Sequence, residues 1–236
     1  NSSLGPNLLQ HLEKRPDISA LALVRSSSAL ASLPSAANIQ AAAMDYADHD
    51  GLLKAFTGAH AVIHLAGVLF ESKDSTYEKA NVDSTIAVMR VAHSLKVPKV
   101  VFISVLGADS KSPNRFYKTK GVAEALVIGS GLGRTVIRTP LLLGPDSAGG
   151  RALLREAQGG KAKLLNGGRH DVRPLDVDDL SSAILAVCLS PEFVPPVLEL
   201  CGPECLPYHA LVTKMAATLG REVKIAAVPL WLAKKL

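Results

Sequence analysis

The sequence predicts an α/β fold: a doubly wound parallel sheet with a small C-terminal lobe on the substrate side. Three observations lead there. Short apolar runs alternate with amphipathic stretches as far as Pro145. Hydrophobic residues make up 48% but aromatics only 4%, so the core is aliphatic, as in sheets buried on both faces. After Pro145 the rhythm gives way to glycine and polar residues, in "DSAGGRALLREAQGGKAKLLNGGRHDV". A length of 236 residues suits one such domain with an appended lobe.

The chain opens on "NSSLGPNLLQHLEKR", where Leu8, Leu9 and Leu12 mark a first helix and Gly5 stands just before it. A doubly wound fold needs a central strand ahead of that turn. The expectation is therefore a strand before Asn1 and a strand order of 3-2-1-4-5-6. Strands two to six are expected at "SALALVR" (19–25), "NIQAAA" (38–43), "AVIHLAG" (61–67), "KVVFISV" (99–105) and "RTVIRT" (134–139). The clearest helix runs from Thr76 to Lys96, with Val82, Ile86, Met89, Ala92 and Leu95 at steps of three or four, and Val97-Pro98 ends it. Another starts near Asn114 and carries Val122, Leu126 and Val127. Two later helical stretches (177–188 and 207–219) flank "PPVLELCG". The whole chain, 1–236, reads as a single dinucleotide-binding domain, with 145–175 and 191–236 forming the lobe.

The formal charge is +5 and the pI about 9.1, but Lys and Arg are scattered without long runs. This excludes a dedicated nucleic-acid face and leaves a surface that favours anionic ligands. The three cysteines, Cys188, Cys201 and Cys205, follow no disulfide framework and point to a reducing compartment. Cys201 and Cys205 lack the further ligands a metal site needs. No apolar run is long enough to span a membrane. The expected location is the cytoplasm, or an organelle matrix if residues ahead of Asn1 carry a targeting segment.

Several residues carry candidate chemistry. Gly5 before a helix start suits phosphate, because the backbone can approach and the helix N-terminus is electropositive; many first helices begin this way without a ligand. In a G-x-x-G-x-x-G spacing Ser2 would fill the middle position, and the first glycine would precede Asn1. Arg25 ends the second strand, followed by Ser26, Ser27 and Ser28. No acid stands there to hold a ribose 2′-hydroxyl, and an Arg with hydroxyls prefers a 2′-phosphate, which favours NADP(H) over NAD(H). An exposed strand-end Arg is the plainer alternative. Asp45 and Tyr46 could meet the adenine, although "DYADHD" also makes sense as a turn. The small residues of "HLAG" let a cofactor pass close, and His64 reads as a packed core residue. Asn81 lies on the long helix and Ser104 ends the fifth strand. Lys120 and Glu124 stand one helical turn apart and could pair. Arg151, Arg169 and Arg173 could meet an anionic substrate or be ordinary loop charges.

Together these stretches resemble the short-chain dehydrogenase/reductase superfamily in its extended or atypical branch, built on the Rossmann fold. The matching segments are "SSLG", "LALVR", "MDYAD", "VIHLAG", "YEKANVDST", "VVFISVLGAD", "FYKTKGVAE", "VIRTPLLLGP" and "RPLDVDDLSSAI". The chain looks similar to NAD-dependent epimerase/dehydratases. Through "FISVLGADSKSPNRFYKTKGVAEALV" and "CGPECLPYHALVTKMAATLG" it is also similar to relatives of the nicotinamide-binding accessory subunit of respiratory complex I. The resemblance implies NADP or NAD as cofactor and a respiratory complex as a partner. It places Ser3, Leu4 and Gly5 at the pyrophosphate and Arg25 at the adenosine ribose. It places Asp45 and Tyr46 at the adenine, Ala66 and Gly67 behind the cofactor, and Asn81, Ser104 and Lys120 around the nicotinamide end.

It also implies a departure. The superfamily's proton-donating Tyr falls on Phe116, four before Lys120, and its active Ser or Thr falls near Val105 and Leu106, with Ser104 adjacent. A phenol has a free pKa of about 10 that a neighbouring Lys brings toward neutrality. Phe116 has no such proton. Tyr117 could serve with Lys120 as the catalytic pair, but one residue turns the helix by about 100°. Two readings compete, and a third, a protein that holds no nucleotide at all, draws on Ser2 and the missing first strand. In one, the protein binds NAD(P) with weak or absent redox turnover. In the other, it is an NADP-dependent reductase, epimerase or dehydratase. The substrate is not legible.

Overall fold

Leu4, Leu8, Leu9 and Leu12 fall on one helical face and are buried, which fixes the first helix, α1 (Leu4–Glu13). The Asn38 side chain closes its end, donating to Leu12 O at 2.9 Å and Arg15 O at 3.0 Å. The structure, a computed structural model, describes residues 3–192 and 194–233; Ser2 of the glycine-spacing motif lies outside the described residues, as do Phe193 and 234–236 of the expected lobe.

After α1 come β1 (Ala20–Val24), α2 (Ser27–Leu30), β2 (Ile39–Ala43), α3 (His49–Phe56) and β3 (Ala61–His64). A π-helical turn (Glu78–Asp83) leads into α4 (Ser84–Ser94), followed by β4 (Lys99–Val105), α5 (Arg115–Ile128) and β5 (Arg134–Thr139). Then follow β6 (Leu142–Leu143), α6 (Ala148–Gln158), β7 (Lys161–Leu165), β8 (Asp171–Val172), β9 (Leu175–Asp176) and α7 (Val177–Leu189). The chain closes with β10 (Val197–Glu199), β11 (Leu206–Pro207), α8 (Tyr208–Thr218), β12 (Lys224–Val228) and α9 (Leu230–Ala233).

Two compact units result, one of residues 3–139 with 178–200, the other of 140–177 with 201–233. In the first, β3, β4, β5 and β10 form a parallel sheet in the order β10-β5-β4-β3. β1 and β2 form a separate parallel pair, with Ala22 opposite Ala41. Strands two to six of the expected order thus stand as β1 to β5, with β2 beside β1 and β3, β4 and β5 consecutive. β10 is added outside β5, so Val197–Glu199 of the expected lobe packs with the first unit. The doubly wound parallel architecture is borne out. β3 ends earlier than the apolar run suggests: Leu65 to Gly67 leave the sheet.

The aliphatic core of this unit includes Leu52, Val88, Val91, Val100, Phe102 and Val136. Lys99, at the start of β4, donates to the last carbonyls near the end of α7, Val187 O at 2.9 Å and Ser190 O at 2.7 Å. Gly121 lets α5 lie against the preceding turn, where a Cβ would come within 2.3 Å of Ser110 N. The second unit packs α6 and α8 on the parallel pair β7–β12 through Leu153, Ala162, Leu164 and Val212. Among the described residues, no helix is long and apolar enough to cross a membrane.

Candidate functional site

The carboxyl ends of β3 and β4 meet α5 and the π-helical turn at one spot. Asn81 is fully buried on that turn and donates through Nδ2 to Thr119 Oγ1 at 3.0 Å. Its Oδ1 is buried without a hydrogen-bond partner. Gly67 faces it: a Cβ there would stand 2.9 Å from Asn81 Oδ1 and 3.8 Å from Lys120 Nζ. A side chain at position 67 would fill this space, so glycine keeps it open. Ser104, at the end of β4, is also buried with an unpartnered Oγ. Buried polar atoms without partners are rare, and Asn81 Oδ1 is one that faces the open space left by Gly67.

Lys120 is only 5% exposed, donates to Ile103 O at 2.7 Å, and lies 4.3 Å above the centre of the Phe102 ring. Burial pushes its pKa down from 10.5 to about 8, opposed by the negative charge of Glu124. The i,i+4 spacing suggests that Lys120 and Glu124 pair; instead Glu124 accepts from Arg138, at 2.7 Å from Nη2 and 3.0 Å from Nε. The planar guanidinium on β5 matches the carboxylate with two bonds, which an ammonium cannot do.

His64 is packed beneath this spot. Thr85 gives its proton to Asn81 O at 2.6 Å, so at 3.0 Å it accepts from His64 Nε2. The imidazole stacks on Phe102 with centroids 5.5 Å apart. Burial, with the Lys120 charge, pushes its pKa down to about 3. Below pH 6.5 the unfolded chain takes up a proton here that the folded chain refuses, so stability falls as pH drops toward 3. The slope from this one group is about 1.4 kcal/mol per pH unit. Lys120 adds no slope there, because both states hold its proton. Urea unfolding at pH 7 and pH 5 should show the native chain losing about 2 kcal/mol more than His64→Phe. Equal losses would show that His64 charges freely in the fold.

The other expected cofactor residues gather less tightly. The start of α1 lies near the 65–67 stretch: a Cβ on Gly5 would reach Leu65 Cδ1 at 4.0 Å. Ser3 makes no side-chain capping bond to α1, and Leu4 is buried. Ala66 is half-buried in the same stretch. Arg25 is exposed at the end of β1 and donates from Nη1 to Ser75 Oγ at 3.1 Å. Asp45 accepts from Ala47 N at 3.0 Å in a turn after β2. Tyr46 points inward, its ring 6.1 Å from that of His64, and burial raises its pKa.

Phe116 and Tyr117 stand edge to face, with ring centroids 5.4 Å apart. Asn114 caps α5 by accepting from Phe116 N at 2.9 Å. The Phe116 ring lies 5.5 Å from that of Tyr77. Tyr117 is 37% exposed and its ring turns toward Gly107, whose Cβ would lie 3.7 Å away. Sequence reasoning missed Thr119, Phe102, Ile103 O and Ser75. The first three are within a few positions of residues it named. Ser75 carries no motif.

Known proteins resemble this chain in sequence and in fold. Residues 1–174 match a family described as NAD(P)H-binding. The chain is 25% identical over 199 residues to NADH dehydrogenase (ubiquinone) 1 alpha subcomplex subunit 9, mitochondrial, of Arabidopsis thaliana, covering 81% of this chain and 48% of that protein. The protein of the same name from Dictyostelium discoideum is 27% identical over 161 residues, covering 68% and 44%. The chain thus spans about half the length of these relatives. In fold it is similar to a tyrosine-to-phenylalanine variant of UDP-glucuronic acid 4-epimerase from Bacillus cereus, in complex with a deoxyfluoro analogue of UDP-glucuronic acid and NAD. The TM-score is 0.83 at 17% identity, covering 97% of this chain and 83% of that one. The likenesses to epimerases and to the complex I subunit, read from the sequence, are borne out.

Proposed function

This chain belongs to the NAD(P)H-binding family, and from that premise we propose that it holds a nicotinamide dinucleotide, NADP(H) in preference to NAD(H), with little or no redox turnover. The nucleotide then serves as a structural or sensed ligand. One observation carries this reading: one helical turn before the buried Lys120 stands the phenyl ring of Phe116, which has no proton to transfer.

The binding half rests on the buried groups. Lys120 offers donors to a ribose, Asn81 Oδ1 and Ser104 Oγ accept or exchange hydrogen bonds, and Gly67 leaves room for the nicotinamide. The cofactor, once bound, supplies hydride chemistry; the chain supplies position. The catalytic half fails for want of a general acid, worth roughly 10²–10⁴-fold. The epimerase variant above retains NAD without one tyrosine hydroxyl, which supports separating binding from proton transfer. Arg25, with no acid beside it, supports the 2′-phosphate preference. Because two relatives are named as mitochondrial subunits, we place the chain in a respiratory assembly of an organelle matrix.

A second reading, an NADP-dependent reductase or sugar-nucleotide epimerase/dehydratase, is favoured by the exposed hydroxyl-bearing Tyr117 three residues before Lys120. The two are separated by experiment. Nucleotide released from purified protein should be identified by mass spectrometry, and NADPH and NADH titrated calorimetrically. The expected result is tighter NADPH binding that Phe116→Tyr leaves unchanged and that Arg25→Ala weakens about tenfold or more. Tighter NADH binding would refute the cofactor preference. Nucleotide-dependent turnover abolished by Tyr117→Phe, with binding intact, would make the protein an enzyme.

A further inference from the structure

The segment 69–77 is fastened at two places. At one, Ser75 Oγ accepts from Arg25 Nη1 at 3.1 Å. At the other, Glu71 takes two bonds from Arg115, at 2.8 and 3.1 Å, and a third from Tyr77 N at 2.9 Å. Tyr77 donates to Leu69 O at 2.9 Å, and its ring lies against Phe116. Between these anchors Ser72 and Ser75 bond each other through their main chains, at 3.0 and 3.3 Å. The segment is therefore a closed strap from the end of β1 to the first turn of α5, the helix that carries Lys120.

Resting on the dinucleotide reading above, we propose that Ser75 is a ligand of the cofactor's 2′-phosphate, and that its capture clamps the 69–77 strap with NADP(H) but not with NAD(H). The chemistry is direct. A serine hydroxyl that accepts from a guanidinium still has its own proton to give. Arg25 and Ser75 are thus two donors converging on one place, which is what a phosphate dianion recognises. Of the three nearer serines, Ser26 and Ser28 bond each other through their hydroxyls at 3.0 Å, so one proton of that pair is already used. A ribose 2′-hydroxyl offers one weak acceptor where the phosphate offers three charged oxygens, so NAD(H) leaves the Arg25–Ser75 contact as it is. Glu71 and Tyr77 then carry the difference to α5. Ser75 is in this sense a specificity-determining residue, far in sequence from the strand end that it serves.

The test combines calorimetry with amide hydrogen exchange on the native chain and Ser75→Ala. NADPH should slow exchange across 69–77 several-fold more than NADH does. Ser75→Ala should weaken NADPH about tenfold, the effect of one hydrogen bond to a charged group, and leave the NADH constant within about twofold. It should also erase the extra protection. A second reporter is Phe70→Trp, since Phe70 is 82% exposed and adjoins Glu71 in the strap; its fluorescence should respond to NADPH and not to NADH. Equal protection by both nucleotides, or a Ser75→Ala change that alters neither constant or both alike, overturns the proposal alone. If neither nucleotide binds the native chain, the dinucleotide reading falls and this proposal with it.

Discussion

Replacing Lys120 by Met is expected to stabilise the folded chain by about 2 kcal/mol at pH 7 while weakening dinucleotide binding at least tenfold. The two effects share a cause. Burial lowers the Lys120 pKa from 10.5 to about 8, so holding the proton in place at pH 7 costs about 3 kcal/mol. The hydrogen bond to Ile103 O returns about 1 kcal/mol of this. Met fills similar volume without the charge. The sign is testable. Between pH 8 and pH 10.5 the unfolded chain binds the extra proton, so native stability rises with pH across that window. The gap between native and Lys120→Met should therefore close as pH goes from 7 to 10. Urea unfolding at both values decides it. A variant less stable than native at pH 7, or a gap insensitive to pH, would mean that the amine is not strained.

Arg138→Ala should act in the opposite direction, lowering stability by about 3–4 kcal/mol. The Glu124 side chain is 4% exposed and takes its bonds from Arg138. Truncating Arg138 leaves that carboxylate buried without its cation. The partner Glu199, 3.1 Å from Arg138 Nη1, is 55% exposed, and Glu199→Ala should change stability by less than about 1 kcal/mol. Chemical denaturation reads both, together with the double variant Glu124→Gln, Arg138→Met. The double variant should recover most of the loss, because no carboxylate is left buried without its cation; the part not recovered falls on Lys120, whose ammonium loses the nearby negative charge. If Arg138→Ala costs no more than Glu199→Ala, the pair is a surface contact.

What the sequence tells of this fold follows from distance along the chain. β3, β4 and β5 are legible because burial on both faces writes a continuous aliphatic run. His64 is legible as core by its place in such a run. Gly67, Asn81 and Lys120 each carry a local pattern, and they do meet. The partners that tune them lie elsewhere: Thr119 is 38 positions from Asn81, Ser75 is 50 from Arg25, and Arg138 is 14 from Glu124. No local spacing encodes these pairs, so i,i+4 logic gave Glu124 the wrong cation. The π-helical turn is hidden as well, since Val82, Ile86 and Met89 keep ordinary helical steps across it. Arg25 was legible as a strand-end cation; that it already rests on another segment was not.

The discontinuity of the first unit has a consequence for how the chain is made. β5 is synthesised before β6, and its outer edge meets β10 only after about sixty further residues. At a ribosome's usual pace that interval is roughly 3 to 12 s. Lys99 waits longer still, its acceptors lying 88 and 91 positions downstream. During that time the nascent chain displays an open strand edge, and the Lys99 ammonium is held by water in place of its later acceptors. Cotranslational folding of this unit therefore finishes only when residues 178–200 have emerged, and until then the half-made sheet is the form that a chaperone would meet.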